Sequence, residues 1–190
     1  MPVPERDLGD GLVLRALDAE DAEELFALVD RNRTYLARWM PWPADYRAPA
    51  DAQRSIRDAR TRLEAGTGFQ LAVVERGRIV GMAALAAIDS DAGTCRCGYW
   101  LAPACQGRGV MTRAVASLLE HAFDELGLRR VELRATPDNL SSRRVAERLG
   151  FRFERTPPAA EPSADGTRDQ VQYVLDADAW HASRRATQSS

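Results

Sequence analysis

Cysteine is scarce. The three present, Cys95, Cys97 and Cys105, cannot make a disulfide framework, and reduced thiols in a cytoplasmic protein are expected. They have no credible histidine partner and no third or fourth ligand nearby, which argues against thiol catalysis and against a metal centre. No apolar run approaches the roughly 20 residues of a membrane span. No basic segment followed by an apolar run opens the chain, so no secretory leader is read. Repeats and heptads are missing as well. Charge of one sign is also missing: 26 basic residues face 28 acidic ones, for a net charge of −2. Such a balance gives no reason to expect a nucleic acid or a membrane surface as partner. Arginine greatly outnumbers lysine.

What remains is 190 residues, 45% of them hydrophobic, enough for one domain with a sizeable core. Residues 1–11 read as a loose leader, 12–180 as the domain, and 181–190 as a disordered tail. Leu12 to Leu17 reads as a strand, and Asp18 as the N-cap of a helix running to about Val29. The aromatic stretch Asn32 to Tyr46 is broken by Pro41 and Pro43 and reads as a packed loop or short helix beside a pocket. A helix over Asp51 to Leu63 precedes a meander of strands near 69–74, 79–88 and 94–101, with Gly81 a candidate bulge. A strand at Arg130 to Ala135, a helix from Asn139 to Leu149, a strand at Phe151, a loop over 157–168, a last strand at Val171 to Leu175 and a short terminal helix complete the chain. The strands near residues 99 and 131 are joined by a helix, which requires parallel pairing.

The organising stretch runs from Cys97 to Leu126. A short aromatic strand, Gly98-Tyr99-Trp100-Leu101, ends near Pro103, which has no amide to donate. A glycine-bearing turn, Gln106-Gly107-Arg108-Gly109, opens a helix. Met111, Val115, Leu118, Leu119, Ala122, Phe123 and Leu126 recur in it at helical spacing. Glycines let backbone approach closely, first-turn amides lack internal partners, and the helix dipole attracts negative charge. This is an anion-binding arrangement.

Gln106-Gly107-Arg108-Gly109-Val110-Met111 resembles the acetyl-CoA motif of the GCN5-related N-acetyltransferase (GNAT) superfamily, Gln/Arg-x-x-Gly-x-Gly/Ala, with Met111 departing at the last position. Asn139-Leu-Ser-Ser142 followed by Val145-Ala-Glu-Arg-Leu-Gly150-Phe151 resembles a second motif, and the branch that looks most similar is the ribosomal-protein alanine/serine acetyltransferases (RimJ/RimL-like). The resemblance implies an α/β fold: a single GNAT-like domain with a mixed, mostly antiparallel sheet, a splayed parallel strand pair and helices on both faces. It implies acetyl-CoA bound by Gln106, Gly107, Arg108, Gly109, Val110, Met111 and Thr112, with backbone groups of Leu101 on the pantetheine arm and Asn139 and Ser142 beside it. Arg108 and Arg113 are candidates for added positive charge at the phosphates.

The tyrosine acid common in the family is replaced by Ala146, and Ser142 is its expected substitute. Glu132 is the candidate base, with Asp89 and His121 weaker; Arg96 stands where relatives often carry Glu. The aromatic stretch is expected to wall the acceptor cleft. The implied activity is transfer of an acetyl group to a primary amine, most simply a protein N-terminal Ala or Ser, in a monomer or homodimer without metal. A small-molecule amine such as an antibiotic or polyamine, met by Asp45 or Asp51, is an alternative acceptor. A non-catalytic acyl-CoA sensor is the alternative outside enzymes.

Overall fold

The computed structural model describes residues 5–156, 162–163, 166–167 and 170–188. β1 (Arg6–Asp7) pairs with β2 (Leu12–Ala16), and a tight turn at Ala19–Asp21 leads into α1 (Ala22–Arg31), α2 (Arg33–Leu36) and α3 (Pro49–Glu64). β3 (Gly68–Glu75), β4 (Arg78–Asp89) and β5 (Thr94–Leu101) follow as the expected meander. Then come α4 (Val110–Glu120), β6 (Arg130–Ala135), α5 (Leu140–Arg148), β7 (Arg152–Arg155), the short ribbon β8 (Pro162–Ser163) and β9 (Gly166–Thr167), β10 (Val171–Asp176) and α6 (Ala177–Gln188). The main sheet has eight strands in the order β1-β2-β3-β4-β5-β6-β10-β7. Its one parallel contact among the described residues is β5 with β6. The mixed, mostly antiparallel sheet is therefore as the sequence implies.

Alternation along the strands sorts side chains to two faces. On one face Leu14, Leu71, Cys95, Cys97, Leu101, Val131 and Leu133 pack under α4, with Val115, Leu118, Leu119 and Phe123 supplying the helix side. On the other, Ala72, Met82 and Trp100 pack under α1 and α3 through Leu25, Val29, Ala52 and Ile56. Helices thus cover both faces, and the buried cysteines are core. Burial pushes the Cys95 thiol up to about 12, which suits inert packing.

Gly81 sits at the bulge that its sequence suggests. Val73 faces Gly81 while Val74 faces Ile79, leaving Val80 extra. The freed Val80 carbonyl accepts the Ala102 amide at 2.9 Å, which ties off the end of β5. After α4 the chain widens into a π turn over His121–Glu125. His121 is buried there against Phe69, with Glu125 Oε2 2.8 Å from its Nδ1.

Three expectations need correction. The leader carries a strand, β1, with Arg6 paired to Glu125; residues 1–4 lie outside the described residues. The tail read as disordered from 181 continues as helix to Gln188. Trp180 packs on Phe123, and Arg184 lies over the Trp180 ring and pairs with Glu120, contacts no local pattern announces. The loop read over 157–168 contains the β8–β9 ribbon, and its other residues lie outside the described ones. Among the described residues no helix is long and apolar enough to cross a membrane.

A Cβ at Gly81 would meet the Trp100 carbonyl oxygen at 2.3 Å and the Leu101 Cα at 3.0 Å, both backbone. Gly81→Ala should therefore cost about 1–3 kcal/mol, as overpacking does. Chemical denaturation would show it as a lowered midpoint, and an unchanged midpoint would mean that the bulge absorbs the methyl.

Candidate active site

The site begins where two strands part. β5 and β6 run in register from Thr94↔Arg130 to Cys97↔Leu133 and no further. Beyond that, β5 stays paired only to β4 as far as Leu101, and β6 only to β10 as far as Ala135. In an antiparallel ladder successive residues turn their N–H and C=O alternately toward and away from the partner. Ala102 donates to β4, so Trp100 does too, and the groups of Tyr99 and Leu101 face the gap. The Gln106 Nε2 donates to the Leu101 carbonyl at 3.2 Å and to the Tyr35 hydroxyl at 2.7 Å. The glutamine thus braces the mouth of the gap with its side chain.

At that mouth the chain turns into α4. Gly107 and Gly109 have φ of 79° and 77°, left-handed values that cost other residues strain. No neighbouring atom lies within 4 Å of a Cβ at either position, so conformation, not space, calls for glycine. Arg113 donates the first helical bond, to the Gly109 carbonyl at 3.0 Å. The amides of Val110, Met111 and Thr112 precede it and find no acceptor within the helix. Gly109 has no side chain to cap them.

The two arginines expected beside this turn each carry a carboxylate partner. Arg108 pairs with Glu75 at 2.9 Å and Arg113 with Asp10 at 2.9 Å. In addition, α5 brings Arg144 and Arg148 to the cleft, Arg148 donating to the Thr112 hydroxyl at 3.3 Å. Sequence reasoning missed both. They sit four residues apart on one helical face, but nothing local says which element that face meets.

Ser142 is held by α5. The Asn139 Oδ1 accepts the Ser142 amide at 3.2 Å as an N-cap, and Arg143 ties the helix to Tyr173 and to the Pro137 carbonyl, at 3.0 Å each. The Ser142 hydroxyl then lies 3.0 Å from the Tyr99 hydroxyl, and the Tyr99 hydroxyl lies 3.1 Å from the Ser142 carbonyl. Tyr99 was not singled out from sequence, because its partner is 43 residues away. Burial holds its phenol well above the ordinary range, the Ser142 hydrogen bond opposing only in part. It is a neutral donor throughout physiological pH.

The cleft has a volume of about 690 Å³. It is lined by the gap, by the start of α4, by α5, and by Tyr35, Trp39, Met40 and Trp42 from the aromatic stretch. Trp42 leans on Trp100 with ring centroids 5.9 Å apart. Gln106, Gly107, Gly109, Val110, Met111, Thr112, Leu101, Asn139 and Ser142 all line it. Glu132 is not among the described lining residues; it lies opposite Arg96 in the ladder and 3.8 Å from Arg134. Asp51 is occupied elsewhere, capping α3 through the Arg47 and Ala48 amides at 2.9 Å each.

Comparison with known proteins gives a family match over residues 11–152, described as an acetyltransferase (GNAT) domain. YdaF of Bacillus subtilis (strain 168), a candidate ribosomal N-acetyltransferase, is 33% identical over 146 residues, 76% of this chain and 79% of YdaF. The ribosomal-protein-serine acetyltransferase of Escherichia coli (strain K12) is 25% identical over 167 residues, 88% of this chain and 93% of that one. The crystal structure of the microcin C7 self-immunity acetyltransferase MccE, in complex with acetyl-CoA and AMP, superposes with a TM-score of 0.85 at 27% identity. That superposition covers 89% of this chain and 94% of MccE.

The raised Tyr99 phenol has a consequence for stability. Unfolded tyrosine ionises near pH 10, and folded Tyr99 keeps its proton above that. Its contribution is fully present below about pH 10 and is lost as pH rises further. Urea midpoints should fall above pH 10, and Tyr99→Phe should flatten part of that fall; identical slopes in the two proteins would show an ordinary phenol.

Proposed function

This chain belongs to the acetyltransferase (GNAT) family and takes acetyl-CoA as its acyl donor, and we propose that its acceptor is the α-amine of a protein N-terminus. The observation that carries the choice is the charge of the cleft. Its described lining includes Arg96, Arg134, Arg144 and Arg148 and no carboxylate. A polyamine or a cationic antibiotic would enter against like charge, with no carboxylate among the described lining residues to pair its ammonium groups. An α-amine has an ordinary pKa near 8, against about 10.4 for a lysine-type amine, and neighbouring guanidinium groups lower it further. Such an acceptor reaches its nucleophilic free-base form without a strong base. The kinship with ribosomal-protein acetyltransferases supports the same class.

Acetyl-CoA supplies an activated thioester. The first-turn amides of α4, with Arg144 and Arg148, suit its phosphates, and the gap-facing groups of Tyr99 with the Leu101 amide, Gln106 taking only the Leu101 carbonyl, suit its amide-bearing arm. Attack by the amine puts negative charge on the thioester oxygen and then on the departing sulfur. Backbone amides facing the gap are fixed donors for the first. The coupled hydroxyls of Tyr99 and Ser142 are the proton source for the second. Holding both reactants between the parted strands turns a bimolecular encounter into an oriented one.

CoA-thiol release with a panel of N-terminal peptides and free amines tests this reading. Ala- and Ser-terminated peptides should turn over and polyamines should not. Tyr99→Phe and Ser142→Ala should each lower kcat by about a hundredfold while leaving the KM for acetyl-CoA within about twofold. Tight acetyl-CoA binding with no thiol release for any acceptor would make the protein a sensor instead.

A further inference from the structure

Three polar side chains around the cleft have hydrogens with no acceptor. The Arg134 Nε, the Trp39 Nε1 and the Thr136 hydroxyl oxygen are buried and lack any hydrogen-bond partner, and all three residues line the cleft. Buried polar groups are normally paired, and each exception calls for a reason. Arg134 is the penultimate residue of β6 and alternates to one side of it, and Thr136 is the first residue past its end. It is the side of Arg96, whose register partner Glu132 is two residues before Arg134. Arg96 is exposed and lines the cleft. Glu132 stands 3.8 Å from one terminal nitrogen of Arg134, an ion pair without a hydrogen bond, so the Nε edge of the guanidinium is left for another partner.

This side is not the donor's. α4 and its orphan amides lie against the face that carries Cys95, Cys97 and Leu101. Arg96 and Trp100 alternate to the opposite face, under α1 and α3 with the aromatic stretch. Arg144 and Arg148 sit on α5, Arg148 bonded to Thr112 at the start of α4. The arginines therefore fall into two groups separated by the sheet. One serves the phosphate end, and the other faces the region from which an acceptor would enter.

We propose that Arg96 and Arg134, with Trp39 and Thr136, form an oxyanion subsite for the acceptor, which is a primary amine carrying a carboxylate or phosphate a few atoms away. Guanidinium forks take either anion in bidentate fashion, and the indole and hydroxyl add neutral donors to the same oxygens. For a protein N-terminus the anion is an acidic side chain at the second or third position. For a small molecule it is the molecule's own carboxylate or phosphate. The proposal rests on reading the cleft as an acetyl-transfer site.

The test compares kcat/KM for Ser-Asp-, Ser-Asn- and Ser-Lys-initiated peptides, otherwise identical, and for phosphoethanolamine against ethanolamine. Calorimetric binding of the same peptides to protein saturated with desulfo-CoA runs alongside. Acidic acceptors should win by about tenfold or more over neutral ones, the scale of a charge-assisted pair, and basic ones should be worst. Arg96→Gln and Arg134→Gln should each erode that preference while acetyl-CoA affinity moves less than about twofold; Arg96 is exposed, so that variant is the safer folder. A peptide-only preference identifies the acidic N-terminus as the source, and a phosphoethanolamine preference identifies a small anionic amine. Equal rates for acidic and neutral acceptors, or a preference that survives both substitutions, would overturn the subsite while leaving acetyl transfer intact. An acidic preference in binding without turnover would uphold the subsite and overturn the transferase reading.

Discussion

β5 and β6 agree for four residues and then separate, and the backbone groups beyond Cys97 and Leu133 must be satisfied by something. In a closed sheet they would pair with each other. Here β5 is held away by its own ladder to β4, by the Val80 bulge that catches Ala102, and by the turn into α4. β6 is held by its six-residue register with β10. Neither strand can lean across without breaking a ladder on its other side. The gap is therefore an outcome of the whole sheet and not of any loop. The turn at Gly107 and Gly109 aims the start of α4 at its mouth, and α5 carries Ser142 to its flank. An extended chain bearing amides and ending in phosphates is the shape that this opening lacks.

Much of this is readable in the sequence alone. Gly109 needs a left-handed φ at the head of an apolar-periodic helix, and that pairing of signals is local, so the turn and the helix were legible. The meander was legible because Glu75 to Arg78 is a tight turn between two β-rich runs. The parallel pair followed from chain economy, a helix lying between its strands.

The illegible parts all depend on distant encounters. Tyr99 acquires a role only because α5 returns to lay Ser142 beside it. Arg108 and Arg113 were reasonable phosphate contacts by sequence proximity, yet Glu75 and Asp10, distant in sequence, claim them. Arg144 and Arg148 reach the cleft from another helix. The terminal helix outruns its sequence signal because Trp180 finds Phe123, and Arg184 then has both a ring and a carboxylate to lean on. Charge and aromatic pairing across the fold cannot be read from spacing.

The distribution of protons across the cleft ties these pieces together. At one side of the gap two hydroxyls are hydrogen-bonded to each other, and burial holds the phenol of Tyr99 neutral above its ordinary range because it penalises the phenolate. They are hydrogen-bond donors and not bases at neutral pH. On the other side stand guanidinium groups, which cannot accept a proton at all, and the nearby carboxylate, Glu132, leans toward Arg134. With no carboxylate among its described lining residues, the cleft suits, on the proposed reading, a nucleophile that arrives deprotonated or is made so by electrostatics. Like charge does this: a cation beside an amine lowers the amine's pKa, and the lower the starting value the less is required. That favours an α-amine over a lysine-type amine. In the proposed subsite the same arginines would also hold an anion on the acceptor. The anion anchors the molecule against the repulsion its ammonium meets on entry, and after deprotonation only the attraction is left.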